Sequence, residues 1–128
     1  MPAIVDSSGW IEYFIDGPNA DCFAQAIENT DDLIVPAITL TEVYRWMLRE
    51  ATESDALAAV AAMKQGKVVA LDDQLSILAA EVCHRHKLPL ADGIIYTIAR
   101  QEDAELITQD ADMEGLPGVL YVKHPKRK

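Results

Sequence analysis

The chain has 128 residues, half of them apolar, with 11 Lys plus Arg against 21 Asp plus Glu and a formal net charge of −10. That is enough chain for one ordinary domain with a real core, and its charge argues against a general nucleic-acid coat while allowing an enzyme that grips a nucleic acid at one local site. Cys22 and Cys83 match no disulfide framework or metal spacing, and no apolar run approaches the ~20 residues of a spanning helix, so the expected setting is the cytoplasm, with no membrane partner.

In chain order, Ala3-Ile4-Val5 reads as a short strand ending at Asp6, and Ser7-Ser8-Gly9 leads into a helix through Trp10, Tyr13, Phe14 and Ile15. Pro18 and Asn19 open a second helix from about Asp21 to Glu28, and Leu33-Ile34-Val35 is a strand closed by Pro36. Thr39-Leu40-Thr41-Glu42 has the Thr-x-x-Glu form of a capping box, which predicts a helix starting there and running to about Glu50. An alanine-rich helix follows from Ser54 to Gln65, stopped by Gly66, and then a strand at 67–70. Asp72 or Asp73 caps a helix to about His86. Pro89 disfavours helix at Leu88, so a new helix begins near Ala91, with Asp92 in its first turn and Ile94, Ile95, Ile98 and Ala99 on a buried face. Strands at 105–108 and 119–122 flank Gln109-Asp110-Ala111-Asp112, and residues 123–128 form a basic tail.

Short strands alternating with helices imply a three-layer α/β/α sandwich on a short parallel sheet, one domain over residues 1–128. Ligands of such folds bind at the carboxyl ends of the strands. Asp6 and Asp110 follow strands, and Glu42 and Asp92 sit in first helical turns, so topology allows all four to face one cleft. Each has an ordinary structural explanation as a cap, dipole partner or turn former. Jointly they do not: two unit charges ~4 Å apart repel by about 4 kcal/mol at an effective dielectric near 20, so converging carboxylates either take up protons or bind a cation. Oxygen donors alone favour a hard ion, Mg²⁺ or Mn²⁺.

Four motifs in order, Ile4-Val5-Asp6-Ser7-Ser8, Ile38-Thr39-Leu40-Thr41-Glu42, Leu90-Ala91-Asp92-Gly93-Ile94-Ile95-Tyr96 and Leu106-Ile107-Thr108-Gln109-Asp110-Ala111-Asp112, resemble the PIN-domain ribonucleases, among them the VapC-type toxins of toxin–antitoxin pairs. The resemblance implies an endoribonuclease dependent on Mg²⁺ or Mn²⁺. Asp6, Glu42 and Asp92 match the acidic triad, Asp110 the usual fourth acid and Asp112 a further acid, while Ser7 and Thr108 match hydroxyl residues that often hydrogen-bond the cluster. Met113 departs from the pattern, where relatives commonly carry an aromatic residue. The resemblance also implies an antitoxin segment bound near the site and a homodimer.

A metal held by carboxylates activates water and neutralises a scissile phosphate, so no nucleophilic side chain is needed. RNA would be held by local cations, with Arg45 and Arg49 and the tail residues Lys123, Lys126, Arg127 and Lys128 as candidates. Cys83, His84 and His86 do not share a helical face and are set aside as a metal site. Trp46 is read as facing away from Glu42, in packing or a dimer contact. Two other classes stay open: a PIN fold that only binds, and a receiver-like phosphoacceptor. A receiver needs an acidic pair near the first strand and a lysine closing a late one, whereas here Asp6 stands alone and Lys123 lies after the last strand. Since Asn caps nearly as well as Asp and Gln nearly as well as Glu, Asp6→Asn, Glu42→Gln and Asp92→Asn are expected to keep or raise stability while abolishing cleavage.

Overall fold

A computed structural model describes residues 1–125; the tail cations Lys126, Arg127 and Lys128 lie outside the described residues. Five strands, β1 (Ala3–Val5), β2 (Leu33–Pro36), β3 (Lys67–Val69), β4 (Glu105–Thr108) and β5 (Val119–Tyr121), form one parallel sheet in the order β3-β2-β1-β4-β5. The register sets Ala3 beside both Leu33 and Glu105, so the first strand is central and its ends align with those of β2 and β4.

Alternate residues of the central strands feed two cores. Ile4, Ile34 and Leu106 point to one face, where they meet α5 (Asp73–His86) and α6 (Leu90–Gln101) through Leu75, Ala79, Ile94, Ile95 and Ile98. Val5, Leu33, Val35 and Ile107 point to the other, against α1 (Ser7–Phe14), α2 (Ala20–Glu28), α3 (Ala37–Glu50) and α4 (Glu53–Met63) through Trp10, Phe23, Val43, Ala59 and Met63. Apolar side chains on both faces are what a sheet covered twice requires, and the expected three layers are present. The chain winds outward from β1 to β3 along one face and then returns over the other to place β4 on the opposite side of β1. The direction of winding therefore reverses between β1 and β4, and their carboxyl ends flank the crevice where such sheets bind ligands.

Local chemistry fixes several boundaries. Asp72 caps α5 by accepting from the Leu75 N–H at 2.8 Å, and Thr52 caps α4 by accepting from Asp55 N–H at 3.0 Å. Lys87 enters the left-handed region (φ 57°) and ends α5, three residues before α6 begins. The Thr39 capping box does not form. Helix α3 starts directly from β2 at Ala37, and Thr39, fully buried inside it, donates its hydroxyl to the Pro36 carbonyl at 2.7 Å. A threonine within a helix bonds back to the preceding turn in this way, which leaves the Glu42 carboxylate available elsewhere. Met113 is completely buried with the α6 residues, so it fills the space beneath the Asp110–Asp112 turn.

Candidate metal centre

Asp6 leaves the carboxyl end of the central strand and is 98% shielded from solvent, at 2% exposure. Its side chain caps α1 by accepting from the Gly9 N–H at 3.1 Å, and it also accepts from the hydroxyls of Ser8 (2.8 Å) and Thr108 (2.7 Å). Burial pushes its pKa up to about 6, against the lowering by those hydrogen bonds, with Asp110 nearby adding to the rise. Capping and membership of an acid cluster are thus not alternatives for this residue.

Asp92 has a different setting. It lies in the first turn of α6, where free N–H groups favour a carboxylate. Even so, its pKa is pushed up to about 7, first by burial and then by the charge of Asp110, a hydrogen bond to the Asp110 carboxyl, and the charges of Asp6 and Asp112. Helix α5 packs tightly behind it: a Cβ on Gly93 would fall 2.0 Å from the Cys83 sulphur, so only glycine lets the two helices approach here.

Thr108 links the two carboxylates' surroundings. Its hydroxyl donates to Asp6 and accepts from the Asp110 N–H at 2.9 Å, holding the chain as it leaves β4. Asp110 in turn accepts from the Asp112 N–H at 3.0 Å, forming a short turn. Carboxylate oxygens of Asp92, Asp110 and Asp112 lie within 4.8 Å of one another. Glu42 comes from α3 and is held by the Ser7 hydroxyl, which donates to it at 2.5 Å.

The described surface has an open cleft of about 430 Å³ into which Asp6, Glu42, Asp92 and Asp110 all face, with Ser7, Ser8, Arg45 and Arg49. The structure therefore brings four of the five expected acids to one cavity and sets Asp112, exposed, at its edge beside Asp92 and Asp110. The donor set fits a hard divalent cation: all oxygen, crowded beyond what like charges tolerate in the ionised state, and held by fixed backbone and hydroxyl donors. Cys83, His84 and His86 belong to no such group among the described residues.

Trp46 lines the same cleft, contrary to the expectation that it faces away. Residues four apart in a helix share a face, so Glu42 and Trp46 stand one turn apart, with Arg45 and Arg49 alongside. The indole also lines an adjoining apolar hollow with Phe14, Ile15 and Met47. Trp10 of α1 is fully buried, whereas Ile15, at the C-cap of that helix, is 53% exposed beside the hollow.

Residues 3–119 match the family model of the PIN domain, and the chain belongs to the PIN domain family. That membership removes the receiver-like reading. Solved structures share the fold. A toxin–antitoxin complex from Klebsiella pneumoniae is 24% identical, with a TM-score of 0.78 over 92% of this chain and 95% of that one. The VapC20 toxin of Mycobacterium tuberculosis, described as cleaving the sarcin-ricin loop, is 18% identical, with a TM-score of 0.69 over 88% and 91%. A DNA-bound VapBC from Salmonella typhimurium is 20% identical, with a TM-score of 0.72 over 95% and 98%. No curated protein sequence matches the chain. No helix among the described residues is long and apolar enough to cross a membrane.

Proposed function

We propose that this protein is a Mg²⁺- or Mn²⁺-dependent endoribonuclease and the toxin member of a toxin–antitoxin pair, acting on RNA in the cytoplasm. The observation that carries the reading is the convergence of Asp6, Glu42, Asp92 and Asp110 on one cleft at the switch point of the sheet. Asp92, Asp110 and Asp112 would hold the cation together with Asp6, and Glu42 would complete the set or orient water. When bound, the cation supplies water activation and charge neutralisation at the phosphate. The chain's own part is positional. The Ser8, Gly9 and Thr108 donors fix Asp6, the Ser7 hydroxyl fixes Glu42, and α6 presents Asp92 from a rigid first turn. Arg45 and Arg49, exposed on the wall of the cleft, suit the RNA backbone in a protein otherwise of net charge −10. An antitoxin and a second copy are the partners that the solved toxin–antitoxin complexes and the family resemblance suggest for the apolar surface beside the cleft.

Asp92→Asn tests the reading. Metal-dependent cleavage of RNA is expected to fall by roughly 100-fold or more, as loss of a group stabilising the transition state does, while the melting temperature holds or rises. Undiminished cleavage by Asp92→Asn would refute the assignment. Wild-type protein that retains RNA without cutting it would identify a binding module.

A further inference from the structure

Next to the acid cluster in the chain lies a second polar cluster, whose members do not line the cleft. Glu12 of α1 is 4% exposed and does not line the cleft. Its carboxylate accepts from the Asn19 N–H at 2.7 Å and lies 3.3 Å from His124 Nε2. Gly17 makes room for it, since a Cβ there would sit 2.4 Å from the Glu12 Oε1. The Asn19 side chain, 7% exposed, uses its amide twice, donating to Gln109 Oε1 at 3.1 Å and to the Lys123 carbonyl at 3.2 Å. Gln109 is itself 4% exposed and immediately precedes Asp110.

We propose that this cluster is a brace for the metal centre, in which Asn19 and Gln109 are positioning residues that hold Asp110, and with it the Asp110–Asp112 turn, in place for a divalent cation. The argument is mechanical. Asp110 stands among like charges that push it outward, on irregular chain after β4. On the cleft side its N–H donates to the Thr108 hydroxyl, while its carboxylate accepts from the Asp112 N–H and meets the Asp92 carboxyl, partners that belong to the same turn or the same crowded cluster. Outside the cleft, the Asn19–Gln109 bond ties the preceding residue to the α1–α2 turn, and the Asn19–Lys123 bond ties that turn to the chain leaving β5. Val122 N–H closes the frame on the Thr108 carbonyl at 2.7 Å. Apolar side chains of similar volume would give comparable stability at such a buried spot; what hydrogen-bonded groups add is a single fixed geometry. A cation site needs that geometry, because ligand oxygens must be set to within a few tenths of an ångström.

The inference rests on the proposed metal reading, and Mn²⁺ titration of the full chain separates the two. By calorimetry, Asn19→Ala and Gln109→Ala should each weaken Mn²⁺ uptake about tenfold, the lower end of what loss of groups supporting metal ligands does. The double variant should lose less than the two single losses multiplied together, because both remove the Asn19–Gln109 bond, although Asn19→Ala also removes the bond to the Lys123 carbonyl. Circular dichroism and cooperative melting check that the fold is kept; if Asn19→Ala does not fold, Gln109→Met, equal in length but without the acceptor, is expected to show the same tenfold loss. Mn²⁺ affinity unchanged within twofold in Gln109→Ala and Gln109→Met, whatever their melting temperature, would overturn the brace alone. Absence of uptake by the wild-type chain would overturn the metal reading and the brace with it.

Discussion

Asp6 and Asp92 carry the same group in one cleft, yet the protein treats them in opposite ways. Asp6 is nearly sealed from water and surrounded by three donors, the Gly9 N–H and the Ser8 and Thr108 hydroxyls. Asp92 is less enclosed but meets other carboxyls, Asp110 foremost. Burial is the leading cause of both raised values, about 6 for Asp6 and about 7 for Asp92, but hydrogen bonds oppose it at Asp6 and like charges reinforce it at Asp92. One acid is satisfied by the protein; the other is left in a field that only a proton or a cation relieves. Hydrogen-bonded support and unrelieved charge are divided between two residues of the same type.

The largest effect that tests this contrast is the response to pH and metal. Both carboxyls bind protons more tightly in the folded chain than at their ordinary value of 3.8. The folded state therefore holds the extra protons between about pH 4 and pH 7, so their stabilising effect is complete below pH 4 and is lost as pH rises through 6 and 7. Metal-free protein should melt roughly 5–10 °C lower at pH 8 than at pH 5, an order set by about 1–2 kcal/mol in a domain of this size. Excess Mg²⁺ or Mn²⁺ should restore most of that at pH 8 and do little at pH 5, where protons compete. Scanning calorimetry with and without the ion checks both halves; a melting temperature indifferent to metal at pH 8 would erase the distinction between the two acids.

Next in size is a difference of sign. Asp92→Asn removes a charge from a repulsive cluster and should raise the metal-free melting temperature at pH 8 by roughly 4 °C, about 1 kcal/mol. Asp6→Asn gives up one acceptor oxygen among three donors, and should lower it by a similar amount. For Asp6→Asn this differs from the expectation, drawn from helix capping alone, that all three amide variants keep or gain stability. Denaturant melts of the two variants side by side settle the matter; equal shifts would mean that the hydrogen bonds to Asp6 are of no consequence. The smallest effect belongs to Arg45→Ala and Arg49→Ala. Both side chains are exposed, so stability should change by less than about 0.5 kcal/mol, while the salt dependence of RNA binding should lose roughly one unit of slope per arginine. Filter binding across a salt series measures it.

Much of this arrangement was legible in the chain. Apolar runs bounded by Asp6, Pro36 and Gly66 gave the strands, and Pro89 followed by Asp92 gave the start of α6, because those signals are local. Thr39 was misleading: a Thr-x-x-Glu pattern marks a cap only when the helix starts there, and α3 had already begun at Ala37. The placement of Trp46 needed only the rule that residues four apart share a helical face. The Glu12–Asn19–Gln109 cluster left no trace in periodicity, since its hydrogen bonds join residues as much as 104 positions apart. Pro18-Asn19 read as a helix start, which Asn19 is, while its side chain serves a distant part of the molecule.

The central place of β1 between β2 and β4 has a consequence for biosynthesis. Thr108, which secures Asp6, and Asp110 are translated about a hundred residues after it. Until β4 is translated and docks against β1, the carboxylates of a growing chain are scattered along an unfinished polypeptide. A copy terminated before β4 has no assembled acid centre, so whatever chemistry the four acids perform together is withheld until β4 has been made.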